Sequence, residues 1–178
     1  LKTPAGQPAR DYLARRQLTA QTVTRFGLGF APDTWDSLVR AMKALGYSEQ
    51  ELFDGGLVRH GRSGGVYDTF RNRLMFPVID VRGNVIGFSG RILGDGEPKY
   101  MNSPETIVFS KSHNLFALNL AKKSKCGYII LAEGNIDVAS LHQAGFDSAV
   151  ASLGTSLTPE QARLLSRYTS EIVIAYDN

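Results

Sequence analysis

Two carboxylates in this chain stand where carboxylates do chemistry. Glu133 follows the apolar run "YIILA" and precedes Gly134, and Asp177 follows "EIVIAY". Both runs read as strands, the first of them buried, and in an open parallel sheet functional groups collect at the carboxyl ends of strands. Acidic groups gathered on one such edge repel each other unless a cation sits among them. Hard oxygen ligands suit Mg²⁺, which takes one or two protein carboxylates and leaves room for phosphates. Spacing alone leaves a second use open for each: Glu133 as a cap or ion-pair partner, and Asp137 as an ordinary capping group near a helix N-terminus.

The elements that must carry these groups alternate strictly from Gly127 onward. Strand "YIILA", helix "DVASLHQAG", strand "SAVAS", helix "TPEQARLLSRY" and strand "EIVIAY" follow one another with short connections. Gly145 ends the first helix, and Thr158, Pro159 and Glu160 start the second. This alternation predicts a parallel sheet with right-handed crossovers.

The upstream chain has a different pattern. The first sixty residues read as a layer of short helices. In "DTWDSLVRAMKALG", Asp33 is the expected cap, Trp35, Leu38, Val39, Met42 and Leu45 share a face, and Gly46 is the stop. "SEQELF" places Ser48 and Glu51 at capping-box spacing. "RLMFPVID" and "NVIGFSGRIL" then predict a hairpin turning around Arg82, Gly83 and Asn84. Alternation puts Arg71 and Arg73 on one strand face, and Val85, Gly87, Ser89 and Arg91 on another. Gly87 and Gly90 imply close approach of a ligand or another segment. "GDGEPKYMNSPETIVFSKSHN" is a loop carrying Lys99, Asn102 and Lys111, and "LFALNLAKKSK" is expected to be a short helix.

Composition narrows the function classes. The 178 residues are 43% hydrophobic and 21% charged, ordinary for a globular protein. No apolar run reaches the roughly 20 residues of a membrane-spanning helix, so no membrane partner is expected. A single cysteine, Cys126, excludes an internal disulfide and a multi-cysteine zinc site, and fits a cytoplasmic setting. Net charge is +3, but residues 59–111 hold eight Lys/Arg against five Asp/Glu. The chain opens on Leu1 and stops two residues after its last strand, so it is expected to be a piece of something larger.

The string "LAEGNIDVASLHQAGFDSAVASLGTSLTPEQARLL…IVIAYDN" resembles the Toprim fold, with Glu133 and Asp137 in its E-G-x-x-D context and Asp177 as the first aspartate of D-x-D. "YDTFRNRLMFPVIDVRGNVIGFSGRIL" and "PKYMNSPETIVFSK" resemble the core of bacterial DNA primases of the DnaG type, and the likeness extends to "YLARRQLTAQTVTRFGLGFAPDTWDSL". Departures are Asn135 and Ile136, where the family has an aromatic and Met. Ser112 and His113 stand where it often has Gly-Arg, and Ser89 where it often has Gly. The resemblance implies an α+β N-terminal lobe of short helices and antiparallel strands over 1–126. An α/β Toprim subdomain over 127–178 follows, its parallel sheet cut after the third strand.

That resemblance also implies an activity: template-directed synthesis of RNA primers on single-stranded DNA during replication, from ribonucleoside triphosphates. Glu133 and Asp177 would hold Mg²⁺, with Mn²⁺ as a substitute, and Asp137 would join them as a catalytic group. Arg91, Lys99 and Lys111 would bind nucleotide phosphates, while Arg71, Arg73, Tyr100 and Asn102 would contact template or primer. Zinc would belong to a separate N-terminal domain, and the replicative helicase would dock on a C-terminal one. The second D-x-D aspartate would follow Asn178, so the fragment alone is expected to make little or no primer. Other Toprim activities (topoisomerase, nuclease, recombination mediator) and a purely single-strand-binding module are the rival readings.

Overall fold

The computed structural model describes residues 1–62, 64–154 and 156–177. The expected helices form as α1 (Gln7–Arg15), α2 (Ala20–Arg25), α3 (Ser37–Ala44) and α4 (Glu49–Asp54). Thr19 caps α2 by accepting from the Thr22 N–H, and Ser48 and Glu51 make the reciprocal capping box of α4. The purely helical expectation for this stretch is corrected by strands β1 (Gly29–Ala31) and β2 (Val58–His60). Three residues are too few for an alternation to register. Their extended form comes from partners far along the chain: β1 pairs with β4 (Arg73–Ile79), and β2 with β3 (Val66–Asp68).

Helix α3 differs from its sequence expectation in a way that matters for the surface. It begins at Ser37, so Trp35 lies ahead of it and is 65% exposed, and Leu45 is exposed as well. The cap is neither Asp33 nor Asp36. The buried Asp68, on β3, accepts from the Leu38 and Val39 N–H groups at 2.8 and 3.0 Å and from the Ser37 hydroxyl at 3.2 Å. A residue thirty positions downstream thus satisfies the orphan amides that a local cap would otherwise take.

The predicted hairpin is β4 against β5 (Val85–Ile92), in a sheet of order β1-β4-β5-β6 with β6 at Tyr100–Asn102. Asp80 accepts from the Arg82 and Asn84 amides across the turn, and these bonds with Asn84 hold its carboxyl down at about 2. Gly83 supplies the left-handed φ of +99°. Both strand glycines accommodate the protein's own side chains. A Cβ on Gly87 would stand 3.1 Å from the Phe109 ring, and one on Gly90 would stand 2.9 Å from both Arg73 and Phe70. The shared face expected for Arg71 and Arg73 does not form, because Asn72 takes a φ of +49° and breaks the alternation before β4 begins.

The predicted α/β segment forms β8 (Ile129–Ala132), α6 (Asn135–Gln143), β9 (Ala149–Ser152), α7 (Pro159–Leu165) and β10 (Ile172–Ala175). Strands β10, β8 and β9 are parallel, and β7 (Leu115–Phe116) closes the order β10-β8-β9-β7 antiparallel to β9. The helix expected over "LFALNLAKKSK" is therefore a strand followed by the single turn α5 (Leu118–Ala121). The second sheet also takes its edge from residues upstream of 127. Its faces alternate: Ile130, Ala132, Ala149 and Ala151 join a core containing Tyr12, Leu74, Phe76 and Phe109, while Ile129, Leu131 and Val150 pack with Leu115, Leu118 and Leu165. One hydrophobic core thus runs through both sheets.

Between the sheets lies the loop 103–114. Ser103 exchanges bonds with the Phe88 main chain, and the Phe109 ring, 1% exposed, lies on Gly87. Removing that ring in Phe109→Ala is expected to lower the unfolding free energy by about 3–5 kcal/mol. Ile107→Ser, at a position 96% exposed, is expected to shift it by less than about 0.5 kcal/mol. Urea denaturation of the two variants measures both.

Candidate active site

The register of the parallel sheet assembles the acidic edge. Ala132 on β8 pairs with Ala175 on β10, so Glu133 and Asp177 leave adjacent strands at the same end. Gly134 caps α6 in extended conformation without a side-chain bond, which places Asp137 in the first turn beneath it. Loss of water around the Asp137 carboxyl raises its pKa, the charges of Asp177 and Glu133 push the same way, and the Gly134 amide and Arg16 oppose them. All three expected acids therefore feel one another. Among the described residues no set of three His, Cys, Asp or Glu side chains is arranged to enclose a metal ion. The donor chemistry still fits Mg²⁺: two carboxylates at neighbouring strand ends match an ion that binds few protein groups and keeps much of its water.

A cationic cluster from the other lobe stands beside these acids. The Tyr12 hydroxyl, on α1, accepts from Arg91 Nε on β5 at 2.7 Å and from Arg16 Nε at 3.1 Å. The Arg91 guanidinium lies 4.6 Å from the Tyr12 ring centroid and 5.6 Å from that of Tyr100. The Tyr12 hydroxyl raises the pKa of Arg16, and Tyr100 and Asp137 add to it. Burial pushes the Tyr100 hydroxyl up to about 12, against the pull of Arg91. That hydroxyl faces the acidic loop, since a Cβ at Gly134 would lie 4.0 Å from it and 3.0 Å from Asp137 Oδ2. A cleft of about 540 Å³ lies against Tyr12 and Arg91 on the side of Gln7, Asp11, Arg15 and Asp95, and none of the strand-end acids lines it.

The remaining expected contacts separate into exposed and structural groups. Lys99 and Lys111 are exposed, and among the described residues neither has an acidic partner at ion-pair distance. Arg71 stacks 4.1 Å from the Trp35 ring centroid and 5.2 Å from that of Tyr67, and donates to the Asp68 carbonyl at 2.7 Å. Arg73 is enclosed, unlike Arg71. It is 5% exposed and its Nη1 is spent on the Gly90 and Pro98 carbonyls at 3.0 and 2.9 Å. Burial and the nearby Arg71 charge both lower its pKa. Asn102 donates to the Leu153 carbonyl at 2.9 Å, tying β6 to the end of β9.

Three residues of this surface escaped sequence reasoning as site residues: Tyr12, Arg16 and Trp35. The i, i+4 spacing of Tyr12 and Arg16 was a local signal for their contact. No local signal tied Tyr12 to Arg91 or Trp35 to Arg71.

Comparison with known proteins accords with this architecture of an antiparallel α+β lobe joined to a sheet with strand-end acids. Residues 1–122 match the family described as DNA primase catalytic core, N-terminal domain, and residues 127–178 match a Toprim domain. The chain belongs to the DNA primase catalytic core family. It is 52% identical over 170 residues to the DNA primase of Clostridium acetobutylicum, a match covering 95% of this chain and 28% of that protein. The RNA polymerase domain of Mycobacterium tuberculosis primase DnaG, solved with a double-stranded DNA oligomer bearing a 6-nucleotide overhang, superposes with a TM-score of 0.93 at 37% identity. That match covers 100% of this chain and 59% of the other. A DnaG primase catalytic domain bound to single-stranded DNA superposes at 0.89 and 42% identity, covering 100% and 58%.

The crowding of acids makes a pH prediction. A carboxyl held above its ordinary range keeps a proton in the folded chain that the unfolded chain has released, so stability falls as pH rises through that window. In metal-free buffer Asp137→Asn is therefore expected to be more stable than the parent at pH 7. The gap should close below about pH 3, where both states hold the proton. Thermal denaturation at the two pH values reads the difference.

Proposed function

We propose that this chain is the part of a bacterial DNA primase where ribonucleoside triphosphates meet a single-stranded DNA template and are joined into an RNA primer. The observation that carries this reading is the meeting of Glu133, Asp137 and Asp177 with the Arg16–Tyr12–Arg91–Tyr100 cluster at the seam of the two sheets. Acids on one side suit a dication, and guanidinium groups on the other suit phosphate oxygens, for which their planar fork is shaped. Glu133 and Asp177 would hold Mg²⁺, or Mn²⁺ in its place. When bound, the ion neutralises charge on the triphosphate and favours ionisation of the primer hydroxyl.

The protein's own groups account for the rest. Arg16 and Arg91 are pre-oriented by one phenol, so they hold phosphate oxygens with little loss of side-chain freedom. Lys99 and Lys111 extend the cationic surface as exposed point charges. Asp137, with its raised pKa, gives a carboxyl able to keep or release a proton beside the metal ligands. Trp35 offers a half-open ring for base stacking, with Arg71 fixed on it for the template backbone. Tyr100 lies beside Arg91 and Asn102 ties β6 to the end of β9, and Arg73 braces β4 against β5 in place of touching nucleic acid. The zinc-binding domain, the helicase contact and a location at the replication fork in the cytoplasm belong to the same proposal for the full-length protein.

Two measurements test it. Salt-dependent binding of a single-stranded DNA oligonucleotide is expected to lose about 0.7 from its log–log slope for each phosphate-contacting cation removed, in Arg71→Ala and Lys99→Ala. Trp35→Ala is expected to cost about 1–3 kcal/mol with the slope unchanged. Parent-like affinity in all three would overturn the binding surface. In the full-length protein, Glu133→Gln is expected to abolish Mg²⁺-dependent ribonucleotide incorporation while retaining DNA binding, and full activity would overturn the metal assignment.

A further inference from the structure

Gln161 does more than cap its helix. It lies at the third position of α7, where its Oε1 accepts from the Thr158 N–H at 3.0 Å and its N–H donates to the Thr158 hydroxyl at 3.1 Å. That reciprocal pair uses none of its amide N–H₂ group. Both of those hydrogens are committed elsewhere: Gln161 Nε2 donates to the Lys111 carbonyl at 2.9 Å and to the Asn114 carbonyl at 2.8 Å, roughly fifty residues upstream. The Thr158 hydroxyl completes the grip by donating to the Ser112 carbonyl at 2.6 Å. Gln161 is 1% exposed, so every polar atom of its side chain is satisfied inside the protein.

The loop gripped this way is the one that presents Lys111. Its other fastenings come from the same lobe: Glu105 accepts from the Lys111 N–H at 2.9 Å, and Asn114 donates to the Ser110 carbonyl at 2.8 Å. Among the described residues, the side-chain hydrogen bonds that reach it from the lobe carrying the strand-end acids are those of Thr158 and Gln161. Fixing the carbonyls of 111, 112 and 114 fixes the backbone from which the Lys111 ammonium projects. We infer that Gln161 is a positioning residue, one that sets the Lys111 ammonium relative to the acidic edge for a nucleoside triphosphate. This rests on the reading of Lys111 as a phosphate-binding lysine.

The chemistry of the amide makes the role separable from helix capping. Glutamate keeps the capping acceptor and loses both donors, so Gln161→Glu leaves the box and releases the loop; Gln161→Leu removes the clamp and the side-chain half of the box without adding charge, the Thr158 cap on the 161 N–H remaining. ATP affinity in Mg²⁺ buffer, measured on the full-length protein, is read in a double-mutant cycle with Lys111→Ala. Lys111→Ala is expected to weaken ATP binding about tenfold, and Gln161→Glu to weaken it by a similar factor. The Gln161 effect should vanish once Lys111 is gone. Amide exchange is expected to accelerate in 110–114 and to stay slow in α7 for Gln161→Glu, which tells the clamp from the cap even where Gln161→Leu does not fold. Parent-like affinity in Gln161→Glu, or losses that multiply in the double variant, would overturn the positioning role while leaving Lys111 as a ligand. Parent-like affinity in Lys111→Ala would overturn the reading of Lys111 and this inference with it.

Discussion

One phenol oxygen accepts from two guanidinium groups: Tyr12 holds Arg16 and Arg91 side by side. Like charges do not stay together in water unless something ties them. Here the ties are charge-assisted hydrogen bonds, each worth about 1.5–3 kcal/mol, and the aromatic faces of Tyr12 and Tyr100 beneath Arg91. Tyr12 keeps its place because its ring belongs to the main core with Ala9, Leu13, Leu74 and Phe76. The position of the cationic pair is thus a consequence of hydrophobic packing, with the polar tip of one core residue as the link.

The opposing acids depend on the same core from its other side. Ile130, Ala132, Ala149 and Ala151 present the second sheet to it, so the strand ends carrying Glu133 and Asp177 are set by packing shared with the first lobe. Polar bonds then fix the relation of the two parts. Gln143 on α6 accepts from the Thr19 amide and the Thr22 hydroxyl and donates to the Gln17 carbonyl. Asn102 ties β6 to Leu153, and Thr158 and Gln161 tie α7 to the loop of Lys111. Those of Thr22, Asn102, Thr158 and Gln161 are shielded from water and satisfy polar groups at the seam, while those to Thr19 and Gln17 lie at its exposed rim. The site gains geometry from two lobes that a single sheet could not bring together.

Much of this was legible beforehand, and the limits have physical causes. The strands at 129–132 and 149–152 were readable because buried parallel strands are apolar on both faces, the strand at 172–175 because it is an equally apolar run although its side chains are exposed, and α4 and α7 because capping boxes are local. Strands β1 and β7 were missed because two or three residues hold no period and their partners lie far off. Trp35 was assigned to a helix face by spacing alone, yet the helix starts later because Asp68, from a distant strand, caps it. The family resemblance implied a nucleic-acid contact for Arg73. In the fold it is buried, with Nη1 on two carbonyls, a setting that depends on partners 17 and 25 residues away.

The sequence by itself determined the chemistry that this protein commits to its surface. It holds an acid after each of two apolar strands, a run of cations between residues 59 and 111, and the helical starts and stops that follow from short-range hydrogen bonding. Which of those charges face one another was decided only by the tertiary structure. Contacts such as Tyr12 with Arg91, Asn102 with Leu153 and Gln161 with Lys111 span about fifty to eighty residues. No local periodicity encodes such a span. It is the shared core, which rewards burial regardless of sequence distance, that brings their polar ends into register.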